Sequence, residues 1–287
     1  WIHIIGWNGD EDSSKSFTVI NDGGRYVERS GDHAFYYRFN GGLTDSGGDS
    51  HTLTAVGGAT TTATNAKITQ SLLLDGTDDY VHSADAYDTD NDINYHTSDF
   101  SFEAWIYMDN IPSAGTSAAI FFVGDNDGNE GDKEIQFGVG AANFGAGDVS
   151  FLEICYDSCD GSSSKKSFTA NTLNADTWYQ VAFTMDMDGR PGSQPAHNVY
   201  IDGVRITGDT NSGTTFDPED KILDESGFRV QLGKGDLIAS NTGSSVFFDG
   251  MIDEARWVNY PKHAYAGGLM VSEVIPGSDT IRVYNSG

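Results

Sequence analysis

The sequence predicts an all-β protein, and two observations carry that prediction. Apolar and polar residues alternate along many short segments, such as 100–108 and 178–186, whereas no apolar stripe at helical spacing runs beyond two turns. Turn-forming pairs such as Asp75-Gly76 and Asp202-Gly203 separate these segments. So many strands in one open sheet would leave an apolar face in water. We therefore expect two packed antiparallel sheets that form a jelly-roll sandwich.

The alternating segments also predict how the chain is organised. We expect an N-terminal β extension over 1–32, a β-sandwich over 33–262 and a C-terminal β-hairpin extension over 263–287. In chain order, the predicted strands lie near 2–6, 17–20, 25–28, 34–40, 51–56, 70–75, 79–83, 100–108, 118–124, 134–139, 148–156, 166–170, 178–186, 197–201, 203–207, 228–233, 245–249, 251–259, 269–275 and 280–284.

The charge of the chain excludes several classes of partner. Its 287 residues include 16 Lys and Arg against 43 Asp and Glu, which gives a formal net charge of −27. Proteins that bind nucleic acids need a positive face, and anionic membranes attract basic segments, so we expect neither partner. No segment approaches the ~18 apolar residues that a membrane-spanning helix requires, so membrane insertion is not expected either.

The two cysteines are close in sequence. Cys155 and Cys159 are separated by three residues in a stretch rich in Asp, Ser and Gly. We expect a disulfide between them in an extracellular protein, and two free thiols otherwise. A zinc site is not expected, because two cysteines without a nearby histidine supply too few ligands.

Several segments, taken in order, carry a family pattern. They are YYRFNGGLTDSGG at 36–48, SLLLDGTDDYV at 71–81, DFSFEAWIY at 99–107, WYQVAF at 178–183, VYIDGV at 199–204 and FDGMIDEAR at 248–256. This order resembles the laminin-G-like members of the concanavalin A-like lectin/glucanase sandwiches, and the resemblance implies their two-sheet fold. Because that scaffold hosts lectins, adhesion modules, glucanases and viral surface parts, function must be argued from individual sites.

Asp253 is the clearest candidate for a metal ligand. Simple alternation places it beside Met251 and Trp257 on a mostly apolar face, where a carboxylate needs hydrogen bonds or a cation. The resemblance implies a structural Ca²⁺ at this position, held also by backbone carbonyls, with Asp45 and Asp75 as further candidate ligands. A purely hydrogen-bonded role for Asp253 is the alternative.

Two acidic stretches are candidate ligand sites at the rim of the sandwich. One contains Asp90 and Asp92, and the other contains Asp125 and Asp127. Neither stretch matches the EF-hand template, because a residue other than Gly stands where the calcium loop must turn sharply. Solvated turns are therefore the alternative interpretation of both.

An enzymatic function is not expected. Glu130, Asp132 and Glu134 have the spacing by which laminarinase-type enzymes place two carboxyls about 5–5.5 Å apart. The residues between them are Gly131 and Lys133, however, in place of the apolar residues that pack behind such a cleft. The chain also contains no Gly-x-Ser-x-Gly elbow and no His-Glu-x-x-His motif. A non-catalytic role follows.

Trp105 is a candidate for sugar contact. Alternation places it with Glu103 and Tyr107 on the strand face opposite the expected core, and flat aromatic rings beside a carboxylate suit a pyranose. The resemblance implies the alternative, in which the matching tryptophan is buried by packing.

Together these features predict a non-catalytic recognition or adhesion module, stabilised by Ca²⁺, that binds a glycan or another cell-surface ligand. Its expected location is extracellular, at a cell surface or on a virion surface. The alternative is a structural subunit, such as a virion decoration or tail-fibre protein or part of an extracellular filament. In that case the terminal strands would pair with other copies of the chain or with neighbouring subunits.

Overall fold

A computed structural model describes residues 3–4, 19–20, 33–47, 51–84, 100–113, 117–124, 134–142, 149–157, 164–168, 173–186, 196–205, 209–213, 229–235, 246–258, 269–274 and 281–285. Within these ranges the regular structure is β-strand throughout, and no helix is long and apolar enough to cross a membrane. In chain order, the strands are β1 (His3–Ile4), β2 (Val19–Ile20), β3 (His33–Tyr37), β4 (Thr54–Val56), β5 (Thr60–Thr62), β6 (Ser71–Asp75), β7 (Tyr80–His82), β8 (Phe100–Met108), β9 (Ser117–Gly124), β10 (Glu134–Ala142), β11 (Val149–Asp157), β12 (Ser164–Phe168), β13 (Trp178–Asp186), β14 (Ala196–Ile201), β15 (Val204–Arg205), β16 (Asp209–Gly213), β17 (Arg229–Leu232), β18 (Lys234–Gly235), β19 (Val246–Phe247), β20 (Asp249–Val258), β21 (Leu269–Val274) and β22 (Ile281–Asn285).

Two eight-stranded antiparallel sheets form the body of the protein, which confirms the predicted sandwich. Sheet I has the order β15-β14-β13-β8-β20-β6-β5, with β3 also paired to β20. Sheet II has the order β16-β12-β11-β10-β9-β17-β7-β4. The short pairs β1-β2, β18-β19 and β21-β22 form separate two-stranded sheets. The domain boundaries at 32 and 262 remain predictions.

The core consists of apolar side chains from the facing sides of the two sheets. Phe102 on β8 stacks on Phe121 of β9 with ring centroids 4.4 Å apart, and Phe100 stacks on Trp257 at the same distance. These rings are almost completely buried. Burying a phenylalanine side chain contributes roughly 1.5–3 kcal/mol, and favourable ring pairing adds about 0.5–1.5 kcal/mol. The aromatic layer therefore holds the two sheets together.

The outer face of sheet I is also buried near its centre, because the connection between β5 and β6 crosses it. In this connection, which we call the 63–70 loop, Ile68 is buried, and the ammonium of Lys67 lies 3.8 Å from the ring centroid of Trp105. The loop extends as far as β13, where its Asn65 carbonyl accepts a hydrogen bond from Trp178 Nε1 at 2.9 Å. Strand β8 is therefore covered on both faces although its sequence alternates.

A β-bulge in β20 corrects the predicted environment of Asp253. Alternation placed Asp253 on the same face as Trp257, but the register against β8 shifts between Asp253 and Arg256. Glu254 lies in the shifted segment with φ = 50°. One extra residue reverses the side on which the following residues point. Trp257 consequently enters the core, whereas Asp253 lies on the outer face opposite Trp105.

Buried polar pairs fix the outer face beyond the bulge. Arg256 donates from Nε to the carboxylate of Glu103, its cross-strand partner, and Tyr36 donates its hydroxyl to Glu254. Burial, followed by the charge of Glu254, raises the pKa of Tyr36 well above its ordinary value. Removing one member of a buried ion pair typically costs about 3–5 kcal/mol. These pairs therefore hold β3, β8 and β20 in register.

Candidate functional site

Several predicted site residues lie outside the described part of the chain. Cys155 lies in β11, but its side chain is among those that the structure does not describe, as are the side chain of Glu134 and all of Asp132. The disulfide, the two acidic stretches and the glucanase-like motif therefore stay predictions. The remaining residues of these sites outside the described ranges are Asp90, Asp92, Asp125, Asp127, Glu130 and Cys159.

Asp253 is fully buried and hydrogen-bonded. Its Oδ2 accepts from the Ile68 amide at 2.8 Å and from Ser71 Oγ at 3.0 Å, and its Oδ1 accepts from the Glu254 amide at 2.8 Å. Burial, followed by repulsion from Glu254, raises the pKa of Asp253 to about 8, although the three hydrogen bonds act in the opposite direction. These three donors fit the alternative interpretation of Asp253, in which hydrogen bonds alone satisfy the buried carboxylate.

Asp45 stabilises the turn after β3. Its Oδ1 accepts hydrogen bonds from the amides of Tyr36 and Gly47, both at 2.7 Å. Among the described residues, the group of three carboxylates close enough to share a metal ion is a different one: oxygens of Asp75, Asp78 and Asp79 lie within 4.8 Å of one another. The structure thus brings Asp75 together with two acids that were not among the predicted ligands, and not with Asp45 or Asp253.

The Asp75 group occupies the tight turn between β6 and β7. Asp75 Oδ1 accepts from the amides of Thr77 at 2.8 Å and Asp78 at 3.3 Å, and these backbone hydrogen bonds, that from Thr77 above all, lower the pKa of Asp75. The carboxylate of Asp79 accepts from the amides of Gly58 and Asp75. An all-oxygen ligand set of this kind is the type that Ca²⁺ prefers.

Trp105 is packed and not available as a platform for sugar. Its side chain is 3% exposed, and Lys67 covers the ring. Burial lowers the pKa of Lys67 below its ordinary value, and the charges of Asp202 and Asp253 oppose this shift only in part. A sugar cannot stack on Trp105 in this arrangement. The structure therefore favours the alternative in which this tryptophan is buried by packing.

Tyr107 and Trp178 form a half-exposed aromatic pair on the same outer face. They are cross-strand partners on β8 and β13, with ring centroids 5.5 Å apart. Tyr107 Oη donates to Asp176 Oδ1 at 3.1 Å, and Trp178 is fixed through its hydrogen bond to Asn65. The two rings therefore combine exposed aromatic surface with fixed positions.

Three aspartates lie at the Tyr107 end of this aromatic pair, and we call them the acidic rim: Asp109, Asp176 and Asp249. The amide of Asp109 donates to the Asp249 carbonyl at 3.0 Å, and Asn110 Nδ2 donates to Asp249 Oδ2 at 2.7 Å. Partial burial, followed by the charges of Asp249 and Asp176, raises the pKa of Asp109. The carboxylates are therefore close enough to interact, and they offer hydrogen-bond acceptors beside the rings.

Gly250 explains how β20 comes so close to Tyr107. The predicted strands 245–249 and 251–259 place a break at Gly250, but Asp249 and Gly250 both belong to β20. Gly250 has φ = 140°, and a Cβ atom there would collide with the carbonyl oxygen of Tyr107. Only glycine permits this approach, which positions Asp249 next to the end of β8.

Tyr107 and Trp178 were not among the predicted site residues, although the sequence contains a signal for them. Tyr107 is the last outward-pointing residue of its predicted strand, and Trp178 is the first residue of another. Aromatic residues at strand ends lie near a rim, where covering loops are less complete. That signal would have favoured these two rings over Trp105, which lies nearer the middle of its strand.

A family comparison identifies the relatives of this fold. A laminin-G-like family model, described as concanavalin A-like lectin/glucanases superfamily, matches residues 75–264. The chain belongs to this superfamily. No match is found among curated proteins.

Solved structures with a similar fold include binding domains of botulinum neurotoxins. The binding domain of serotype D/C aligns with a TM-score of 0.54 at 13% identity, and that of serotype C1 aligns with 0.52 at 17%. A third structure is from botulinum neurotoxin type C, whose cell entry depends on interaction with two ganglioside molecules. It aligns with a TM-score of 0.50 at 16% identity. Each alignment covers 80% of this chain and 49% of the other, so the chain spans about half the length of these structures. At these identities the likeness shows the lectin-like fold alone.

Proposed function

We propose that this lectin-like module recognises glycans through the aromatic pair Tyr107 and Trp178 together with the acidic rim. The single observation that carries the proposal is the position of two half-exposed, fixed rings next to several carboxylates and the Asn110 carboxamide. A pyranose presents C–H groups that pack on an aromatic face and hydroxyl groups that donate to carboxylates. The site offers both kinds of contact within one surface.

The geometry favours neutral sugars at the aromatic pair. Asp109, Asp176 and Asp249 would repel an anionic group, whereas a neutral hexose supplies hydroxyl donors for their oxygens. Because the hydrogen bonds from Tyr107 and Asn110 hold Asp176 and Asp249 in place, the acceptors are ordered before a ligand arrives. This preorganisation lowers the entropic cost of binding.

The proposed role is binding at a cell surface or in an extracellular setting, without catalysis. Support comes from the structural neighbours, which are binding domains, one of them from a protein that interacts with gangliosides. A hydrolysis assay on β-glucans checks this point, because release of reducing sugar would contradict a purely binding role. Assembly as a virion or filament subunit stays a prediction: in the described ranges, β1 pairs with β2 and β21 with β22.

We also propose that structural Ca²⁺ binds at Asp75, Asp78 and Asp79. The support is their oxygen set. Calcium should raise the unfolding temperature of the wild type by a few degrees, since a ligand that binds only the folded state stabilises it. Asp78→Asn, at an exposed member of the group, should remove the increase, whereas Asp45→Asn should retain it. An equal calcium effect in wild type and Asp78→Asn would contradict this assignment.

The experiment for the glycan proposal is a glycan array followed by calorimetric titration of the best neutral ligand. Trp178→Ala should weaken binding about tenfold, because stacking on one ring contributes on the order of 1–2 kcal/mol. Tyr107→Phe keeps the ring but removes the hydrogen bond to Asp176, so its loss should be smaller. Tyr80→Ala, a half-exposed ring on sheet II, is the matched control and should bind normally. Normal binding by Trp178→Ala would overturn the proposal.

A further inference from the structure

A second half-exposed aromatic cluster lies on the outer face of sheet II. The ring of Tyr80 lies 5.9 Å from that of His82 and 6.4 Å from that of Phe247, and the ammonium of Lys234 lies 4.8 Å from the Tyr80 ring centroid. All four side chains are half-buried. We call them the lysine-aromatic patch.

Strand register explains why these side chains share a surface. On β7, Val81 points into the core, so Tyr80 and His82 on either side of it point outward. In the neighbouring hairpin, Lys234 of β18 is the cross-strand partner of Phe247 on β19. The patch is therefore built on paired strands, and its rings have fixed positions.

The cation in this patch has an unusual environment for so acidic a protein. The chain has 43 acidic and 16 basic residues, yet Lys234 forms no ion pair within the described structure and instead lies over Tyr80. The cation–π contact with Tyr80 offsets part of the cost of desolvating this lysine, but among the described residues no carboxylate balances its charge. An anionic ligand would supply the missing partner, and charge-assisted hydrogen bonds to carboxylates are among the stronger ones.

We propose that the lysine-aromatic patch is a second ligand site, selective for sugars that carry a carboxylate. Lys234 pairs with the carboxylate, and the exposed parts of the Tyr80 and Phe247 rings contact the apolar face of the sugar. The site is independent of the aromatic pair on sheet I, whose neighbouring aspartates select against such ligands. At physiological ionic strength the Debye length is about 8 Å, so the overall negative charge of the chain does not prevent this local pairing.

The test compares three matched probes: methyl β-glucuronoside, its methyl ester and methyl β-glucoside. Each is titrated into the full chain at 0.15 M salt, and binding is followed by NMR. We expect the glucuronoside to bind about tenfold more tightly than the ester or the glucoside, since a single charge-assisted contact distinguishes them. Equal affinity of the acid and its ester, or no binding of the acid at tens of millimolar, would overturn the proposal without any variant.

Substitutions then locate the site. Lys234→Met should reduce glucuronoside affinity to that of the ester, and Tyr80→Ala should abolish binding. Lys67→Met removes the same charge from a lysine over a different ring and is the control, with folding checked by circular dichroism. Unchanged affinity in Lys234→Met would overturn the proposal. Loss of glucuronoside binding in Trp178→Ala but not in Lys234→Met would overturn it too, while leaving the glycan role of the first site intact.

Discussion

Trp105 and Trp178 occupy the same face of sheet I on adjacent strands, yet only one of them is available to a ligand. Trp105 is covered by Lys67 and is 3% exposed, whereas Trp178 is half-exposed and is held by the same loop through its Nε1 hydrogen bond to Asn65. The difference arises from position along the strand. A loop that crosses the middle of a face converts an outward ring into core, while a ring at the strand end stays open.

The comparison also explains the role of Asp253. Its three hydrogen-bond donors come from the C-terminal end of the covering loop, from the first residue of β6 and from the bulge: Ile68, Ser71 and Glu254. The carboxylate therefore attaches the 63–70 loop to β20. In this view Asp253 keeps Trp105 covered, and it holds Asn65 where that residue can fix Trp178.

The largest effect is expected from truncating the covered tryptophan. Trp105→Ala should lower the free energy of unfolding by about 3–5 kcal/mol, because it removes a fully packed ring and leaves a cavity. Trp178→Ala should cost only about 1 kcal/mol, since much of its ring is already in water. Urea denaturation monitored by circular dichroism measures both. Similar losses in the two variants would contradict the distinction between a structural and a functional tryptophan.

The pH dependence of stability should reveal Asp253. With a folded pKa of about 8 against an ordinary value of 3.8, the folded state keeps a proton that the unfolded chain has released. This contribution to stability is fully present below about pH 4 and is lost as the pH rises through 8. Asp253→Asn stays uncharged, so the wild type should lose stability relative to this variant over that window. Parallel curves for the two proteins would show that Asp253 is already ionised in the fold.

A smaller effect is expected from the hydroxyl that helps to anchor the loop. Ser71→Ala removes one of two donors to Asp253 Oδ2 and should cost about 1–2 kcal/mol. It should also expose Trp105 slightly, which acrylamide quenching of tryptophan fluorescence detects. Ser46→Ala, at an exposed serine, is the control and should change neither quantity. No change in Ser71→Ala would mean that the loop does not depend on this contact.

Much of the fold follows from local pattern. The bounds of β8 and β13 agree with the predicted strands because their apolar alternation is long and unambiguous. Strands β5 and β16 were not predicted, since their Thr, Asp, Asn, Ser and Gly residues carry no apolar alternation. Their pairing is decided by neighbouring strands, and a single segment does not reveal that.

The candidate site was harder to predict, because it depends on contacts between distant segments. The bulge at Glu254 reverses the face of Asp253, and alternation contains no sign of one extra residue. Whether Trp105 or Trp178 is exposed depends on a loop more than 30 residues away in sequence. The grouping of Asp75 with Asp78 and Asp79 was local, however, and the tight turn after β6 could have indicated it.

The most direct test of the central claim is the affinity of Trp178→Ala for the neutral glycan that binds the wild type best, measured by calorimetry beside Tyr80→Ala. Our account predicts a loss of about tenfold for Trp178→Ala and unchanged affinity for Tyr80→Ala. Wild-type affinity in a folded Trp178→Ala protein would contradict it, and would show that the aromatic pair is not where this module binds a glycan.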